Sequence, residues 1–441
     1  MTTLADRLVA AVRSGDWEPL RAHVHPAVAL RTSNERGRRR LDGADAVLEH
    51  LGGPGAGDVA HWHPREWPAG VALTFEWTGE RGTDRRRWYV RRDADGLVTE
   101  LWSSAARPGA ADDGDPPPPA WLAELGVTAT APLVHGGNSG AALLRGTRAD
   151  GSTLVLKRVR AGADWLARAT RDDARTARLF DAGAFTAMPA VIESGVVAVV
   201  REGAVAWIAM DDVAAHLLGD EARLSRADSR RVLDASAALH AAFHGRVPDG
   251  AADLADRLGM ASPAVAEAER PHSDLLPKQF EHAWEAFAEV VDADVAEPVL
   301  ALARDPRPLA ERLLRANGAA TLAHGDLRDD NLGFDGERVV LIDWDLATAG
   351  TPTVDFAWYL AQDAWRIDAT RDELEADHRA AHGDALADQE VELGLVSGLV
   401  QYGWLLAHSA RVHPDPAETA WGREELGWWV PRVRRALEAT S

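Results

Sequence analysis

Between residues 324 and 345 the chain reads HGDLRDDNLGFDGERVVLIDWD. Carboxylates crowd there against a strand as apolar as Val339-Val340-Leu341-Ile342. Like charges held this close repel one another unless a cation or a proton lies between them. Two arrangements meet that demand: loop residues that face water, or side chains gathered round a metal ion. The segment itself reads as loop, short strand, turn, strand and loop, inside a region that is mostly helical from residue 213 onward.

A chain of 441 residues holds two or three domains, each able to bury its own core. Apolar content of 46% and charged content of 27% belong to a globular protein. No apolar run reaches the length of a membrane span, about 18 residues or more. The opening MTTLADRLVAAVRSGDW is an amphipathic helix without a signal-peptide core, so the cytoplasm is the expected compartment. The absence of cysteine excludes disulfides and thiolate metal sites. Residues 1–105 hold 15 basic and 15 acidic side chains, and the remaining 33 basic and 54 acidic ones carry the whole net charge of −21. Such a field repels nucleic acid, keeps the chain soluble and favours cationic partners.

The first 105 residues form an α+β pattern. Leu4, Leu8 and Val12 recur at helical spacing, a short helix is expected over Trp17–Val24, and another over Ala44–Leu51. Strands are expected at 61–67, 71–78, 85–92 and 97–102, the last after the turn Asp93-Ala94-Asp95-Gly96. Trp17 with HVHPAVAL, LDGADAVLEHL and RRRWYVRRDADGLVTELW resemble the NTF2-like (SnoaL-like) family. That resemblance implies a cone-shaped sheet around a pocket closed by helices, and a homodimer formed through this domain. His23, His25, Asp16 and Asp42 are its candidate acid–base groups, in an isomerase or hydrolase reading. His61 and His63 share a strand face, and the clusters Arg38–Arg40 and Arg85–Arg87 suit the wet side of a sheet. Residues 106–120, ARPGAADDGDPPPPA, are a linker, since successive prolines cannot donate ladder hydrogen bonds and favour stiff polyproline II.

Beyond the linker the pattern is strand, turn and two strands, then a helix over 164–180, then a hairpin. Phosphoryl transfer from ATP needs backbone N–H groups near the phosphates, a cationic side chain, Mg²⁺ on hard oxygen ligands, and a carboxylate for the acceptor hydroxyl. Gly136, Gly137, Asn138, Ser139 and Gly140 lie between two strands, where glycine lets backbone approach phosphate. Only two of the 48 basic residues are lysine, Lys157 and Lys278. Lys157 stands between Val155 and Val159 on one strand face and is expected to point inward, where a lysine needs a partner. Asp343 ends the apolar strand, well placed to ligate a metal. Asn331 offers a neutral oxygen, and Asp326 lies on the same loop, close enough to approach an acceptor.

The segment HGDLRDDNLGFDGERVVLIDWDLATAGTPTVDFA resembles the aminoglycoside phosphotransferase/choline kinase family, through His-Gly-Asp, then Asn, then Ile-Asp-x-Asp, then Gly350, Pro352 and Asp355. The resemblance spans roughly residues 120–441 and implies a bilobal protein-kinase-like fold, with a small β-rich lobe at 121–212 and a large helical lobe at 213–441. It implies ATP and Mg²⁺ as cofactors, Asp326 as catalytic base, and Asn331 and Asp343 as metal ligands. Lys157 would hold the α/β-phosphates, and Met210, Asp211, Asp212 and Val213 would be the hinge for adenine. His324 would brace the loop and Asp355 would be structural.

Kinases pair the strand lysine with a glutamate on the next helix, and residues 164–180 contain none. Asp172 and Asp173 flank the apolar face of that helix and are the substitutes, Asp173 preferred. The function expected is a small-molecule O-phosphotransferase, with an amine-bearing acceptor suggested by the acidic charge. The alternative is a nucleotide-binding pseudokinase. Three further features have plain structural readings. His240 and His244 form a packed pair rather than a zinc site, Trp421, Trp428 and Trp429 pack a helix, and the acid-rich stretch 363–394 forms a solvated face or a cleft for a polycation.

Overall fold

The computed structural model describes residues 3–34, 37–52, 58–67, 70–79, 82–105, 116–133, 142–219, 222–272, 275–411 and 416–439. The chain forms two compact units: one from Met1–Pro116 with Ala131–Leu144 and Pro271–Leu276, the other from the remainder.

The first unit opens with the helix Leu4–Ser14. Thr3 and Asp6 close a reciprocal capping box at its start, and Gly15 ends it at φ 70°. The short helix expected next is a 3₁₀ turn, Glu18–His23, which gives way to strands Val24–Asn34 and Gly37–Asp42. Val28 and Leu30 alternate inward in the first of these strands, which begins where the expected helix ends. With Asp58–Trp67, Gly70–Gly79, Gly82–Arg92 and Val98–Ala105 they make one six-stranded sheet. All neighbours run antiparallel except Val24–Asn34 and Val98–Ala105, which run parallel. Register shifts mark three of these pairings, a usual source of curvature. The helix and the turn lie over a core of Trp17, Leu30, Leu73, Phe75 and Trp88.

Two of the candidate acid–base groups here serve the backbone: Asp16 accepts the Glu18 N–H and His25 Nδ1 accepts the Ala27 N–H. The side chains of His61, His63, Arg38–Arg40 and Arg85–Arg87 lie outside the described residues, as does most of the linker.

In the rest of the chain a five-stranded sheet runs Val196–Glu202, Val205–Asp211, Thr153–Arg160, Ala142–Arg148, Val127–Pro132. The single helix expected over 164–180 is two, Trp165–Ala169 and Arg175–Asp181. Arg171 and Ala174 adopt positive φ (52° and 72°) between them, and Asp172 accepts the Arg175 N–H as the second helix begins. Local side-chain bonds of this kind compete with helix continuation.

The helical part centres on Pro352–Asp363 and Asp388–Arg411, both buried over most of their length. Gly398 of the longer helix lies under Trp429, where a Cβ would meet the indole at 2.5 Å. Trp429 is fully buried, on the last helix, Pro416–Ala439, as packing required. Between the helices lie the hairpin Leu332–Asp335/Arg338–Leu341 and the small sheet Ala252–Asp253, Thr348–Gly350, Thr321–Ala323. No helix among the described residues is long and apolar enough to cross a membrane.

Candidate active site

The strand Thr321–Ala323 delivers the chain into His324-Gly325-Asp326. Gly325 holds φ +79°, and a Cβ there would meet the Leu346 carbonyl at 1.9 Å, so no other residue fits. Asp355, fully buried on the helix Pro352–Asp363, accepts the His324 and Gly325 N–H groups at 2.7 Å each. His324 Nδ1 accepts the Asp326 N–H at 3.3 Å, which leaves Nε2 to donate to the Ile342 carbonyl at 3.1 Å.

These contacts aim the Asp326 carboxylate. Trp358 Nε1 donates to its Oδ1 at 2.8 Å, Asn331 Nδ2 to its Oδ2 at 2.9 Å, and Arg328 pairs with it at 3.2 Å. Burial alone would raise the Asp326 pKa, but Arg328, Arg257 and His324 overcome it and hold the group below the usual carboxylate range. Arg257, also fully buried, donates to the Gly325 carbonyl at 2.6 Å and stacks 4.5 Å from the Trp358 ring centre. Trp358 and Arg257 were not singled out in the sequence, because nothing local distinguishes them from packing residues.

Asn331 follows in a 3₁₀ turn, Asp329–Asn331, and its backbone carbonyl accepts the Ile342 N–H at 3.0 Å. This joins it to the residue before Asp343. Its amide nitrogen is spent on Asp326, so Oδ1 is left as an acceptor. Asp343 sits at φ 66°, one-third exposed. Three other acids of this stretch are ion-paired: Asp329 with Arg366 at 2.7 Å, Asp330 with Arg328 at 2.8 Å, and Asp335 with Arg338.

Lys157 is buried, as its place between two valines required. Its ammonium lies 2.8 Å from Asp343 Oδ1 and 2.7 Å from Asp345 Oδ2. Burial would lower its pKa, but the two carboxylates more than offset that and keep it charged. The preferred pairing with Asp173 is not the one the chain makes. With the helix broken at 170–174, Asp173 turns outward to Arg178 at 2.8 Å. Asp172 is buried and spent on the Arg175 N–H.

Met210 packs beside Ala174, Ala177 and Ile208, and the Asp211 N–H donates to the Gly195 carbonyl at 2.8 Å. Asp212 accepts the Thr153 hydroxyl at 2.9 Å. The glycine-rich stretch, Gly136, Gly137, Asn138, Ser139 and Gly140, lies outside the described residues.

Behind Asp355 stands a chain of imidazoles. His240 Nε2 meets Asp355 Oδ2 at 3.1 Å, and its Nδ1 meets His382 Nε2 at 3.2 Å. His378 lies against His382 and stacks on Phe356. His244, the other half of the expected pair, is exposed at the helix end, and no metal-binding group of three or more His, Asp or Glu occurs among the described residues. Burial and His240 push His382 down to about 4, and burial with both neighbours pushes His378 well below its usual value.

A folded-state pKa below the unfolded one means that the unfolded chain binds more protons in this window, so stability falls as pH drops from about 6.5 towards 4. Asp172, raised to about 6 by burial and Asp345, acts in the opposite sense, its contribution fading as pH rises through 6. The unfolding free energy from urea titrations is expected to fall on acidification, by up to about 3 kcal/mol from His382 alone. The fall should be visibly shallower in the His378→Phe protein.

Oxygen donors thus stand beside a buried, compensated lysine and an oriented carboxylate, a set whose chemistry suits phosphate groups. The profile of the phosphotransferase enzyme family matches residues 130–391. The chain belongs to that family, and the expected class, a small-molecule kinase, stands. No curated protein matches it. Among solved structures it is similar to an aminoglycoside phosphotransferase from Streptomyces rimosus, at 21% identity over 64% of this chain and 96% of the other, with a TM-score of 0.40. It is also similar to a microcompartment-associated aminopropanol kinase, at 16% over 73% and 97% with 0.43. The choline kinase LicA from Streptococcus pneumoniae follows, at 14% over 72% and 95% with 0.38.

The acid-rich stretch is largely paired with arginine. Asp377 meets Arg226 at 2.7 Å and Arg230 at 2.9 Å, Asp388 meets Arg379 at 2.7 Å, and Asp372 meets Arg432 at 2.5 Å. Asp363, Asp377 and Glu390 of this stretch are buried, so it is not a uniformly solvated face.

Proposed function

We propose that the protein transfers the γ-phosphoryl group of Mg·ATP to a hydroxyl of a small, amine-bearing molecule. The observation that carries this reading is the Asp326 carboxylate, held by Trp358, Asn331 and Arg328 on the loop that also bears Asn331. The acceptor oxygen attacks the γ-phosphorus in line, the bond to the β-phosphate oxygen breaks, ADP leaves, and the hydroxyl proton passes to Asp326. Because that carboxylate is held below the usual range, its first service is to orient the hydroxyl, and it takes the proton late.

Asn331 Oδ1 and Asp343 are the residues that would hold Mg²⁺, an oxygen set that suits an ion which completes its shell with phosphate and water. Bound there, the ion supplies charge neutralisation on the β- and γ-phosphate oxygens. Lys157 would hold the α/β-phosphates.

The pseudokinase alternative rests on the missing helix glutamate, and neither Asp172 nor Asp173 takes that place; the transfer reading is supported instead by Asp343 and Asp345, which meet Lys157 from the strand end. The amine in the acceptor is supported by the net −21 carried beyond residue 105, which favours a cationic substrate. An ADP-release assay with Mg·ATP against amino alcohols, aminoglycosides, neutral sugars, macrolides and amino acids tests both parts. Turnover confined to amine-bearing acceptors is the expected result. Mg·ATP binding without ADP release from any acceptor would overturn the transfer step.

Trp358→Phe removes one hydrogen bond to the base and keeps the ring under Arg257. It is expected to lower kcat about tenfold, the worth of a hydrogen bond to a charged group, and to leave KM for ATP unchanged.

A further inference from the structure

The geometry points to Asp345 as the residue that positions Lys157, tied to the following helix through the Thr176 hydroxyl. This inference rests on the phosphotransfer reading above. Elsewhere in kinases a helix glutamate does this work, but here the helix Arg175–Asp181 offers Lys157 no acid. Its one carboxylate, Asp181, faces Arg201 at 2.9 Å, and Asp173 faces Arg178.

Asp345 is held from the helix side by two bonds. Its Oδ1 accepts the Thr176 hydroxyl at 2.6 Å, and its backbone carbonyl accepts the Arg175 guanidinium. Thr176 and Arg175 are both buried. The remaining oxygen, Oδ2, meets Lys157 at 2.7 Å. The order lysine, carboxylate, hydroxyl, helix is therefore continuous, and each bond falls within hydrogen-bond range.

Asp343 is the weaker candidate for this role. It is twice as exposed as Asp345, 36% against 18%, and it is the residue assigned to the cation in the reading above. A cation on Asp343 would weaken its hold on Lys157, whereas Asp345 is tied to the helix by the Thr176 hydroxyl. In this chain the acid has moved off the helix and onto the strand-end turn, and a hydroxyl carries the link back.

Parent, Asp345→Asn, Thr176→Val, Thr176→Ser and Asp173→Asn proteins are compared by calorimetric titration with Mg·ADP, by steady-state kinetics and by thermal melting. Asp345→Asn is expected to weaken Mg·ADP about tenfold and raise KM for ATP to match, with KM for the acceptor within twofold of the parent. Thr176→Val should lose about threefold, while Thr176→Ser, which keeps the hydroxyl, and Asp173→Asn should bind as the parent does. The split between the two KM values is a readout that general loosening of the fold would not produce. If Asp345→Asn does not fold, the Thr176 pair decides by the same measurements. Asp345→Asn within twofold of the parent, or Thr176→Ser as weak as Thr176→Val, overturns the proposal. A parent that binds no nucleotide sinks the phosphotransfer reading itself, a different failure from either of these.

Discussion

The Asp326→Asn protein is expected to turn over about a thousandfold more slowly than the parent, with its affinity for Mg·ATP changed little. The carboxylate has donors on both oxygens, Trp358 Nε1 on one and Asn331 Nδ2 on the other. An amide of the same shape can accept from only one of them and must turn its own N–H₂ towards the second. It can neither orient a hydroxyl as an anion does nor receive its proton. The donor clash also costs about 1–3 kcal/mol of stability, so melting must be followed beside turnover. Folded protein that retains turnover within a few-fold of the parent would remove Asp326 from the role of base.

The Asp355→Ala protein should lose about 3–5 kcal/mol of stability, because truncation strands buried partners rather than merely deleting a contact. Three groups depend on this one carboxylate: the backbone N–H groups of His324 and Gly325, and the His240 ring. None can turn to water, since Asp355, His324 and His240 are all buried. Burial would raise the Asp355 pKa, but His240, His324 and the Gly325 N–H hold it below the usual range. Chemical denaturation at neutral pH checks the figure, and a loss under about 1 kcal/mol would show that the loop is held by something else.

Much of this site was legible because its parts lie close together in the chain. Asp326 and Asn331 are five residues apart and do touch. Lys157 could be placed indoors from the alternation of one strand, and the helix and later strands of the first unit from their periodicity. The misses follow from two physical causes. The break at 170–174 depends on positive φ at Arg171 and Ala174, residue types that seldom adopt it and so give no warning. Asp345, Trp358 and Arg257 act across 169, 32 and 68 residues of sequence. At those separations spacing carries no information, and only the fold decides who meets whom. The expected Trp17–Val24 helix forms as the tighter 3₁₀ turn Glu18–His23, which ends where the strand Val24–Asn34 begins.

The His324 ring has a mechanical consequence. One imidazole accepts from the backbone of Asp326 and donates to the carbonyl just before Asp343, so it acts as a strut between the residue proposed as base and the residue proposed to hold the cation. A ring cannot stretch, and a shift at either end is passed whole to the other. On the proposed reading, the spacing between acceptor and phosphate is then set by the large lobe, the same for every substrate. Diversity among acceptors must be accommodated by residues outside that span, and selection for a new acceptor should leave position 324 untouched while it alters the surrounding walls.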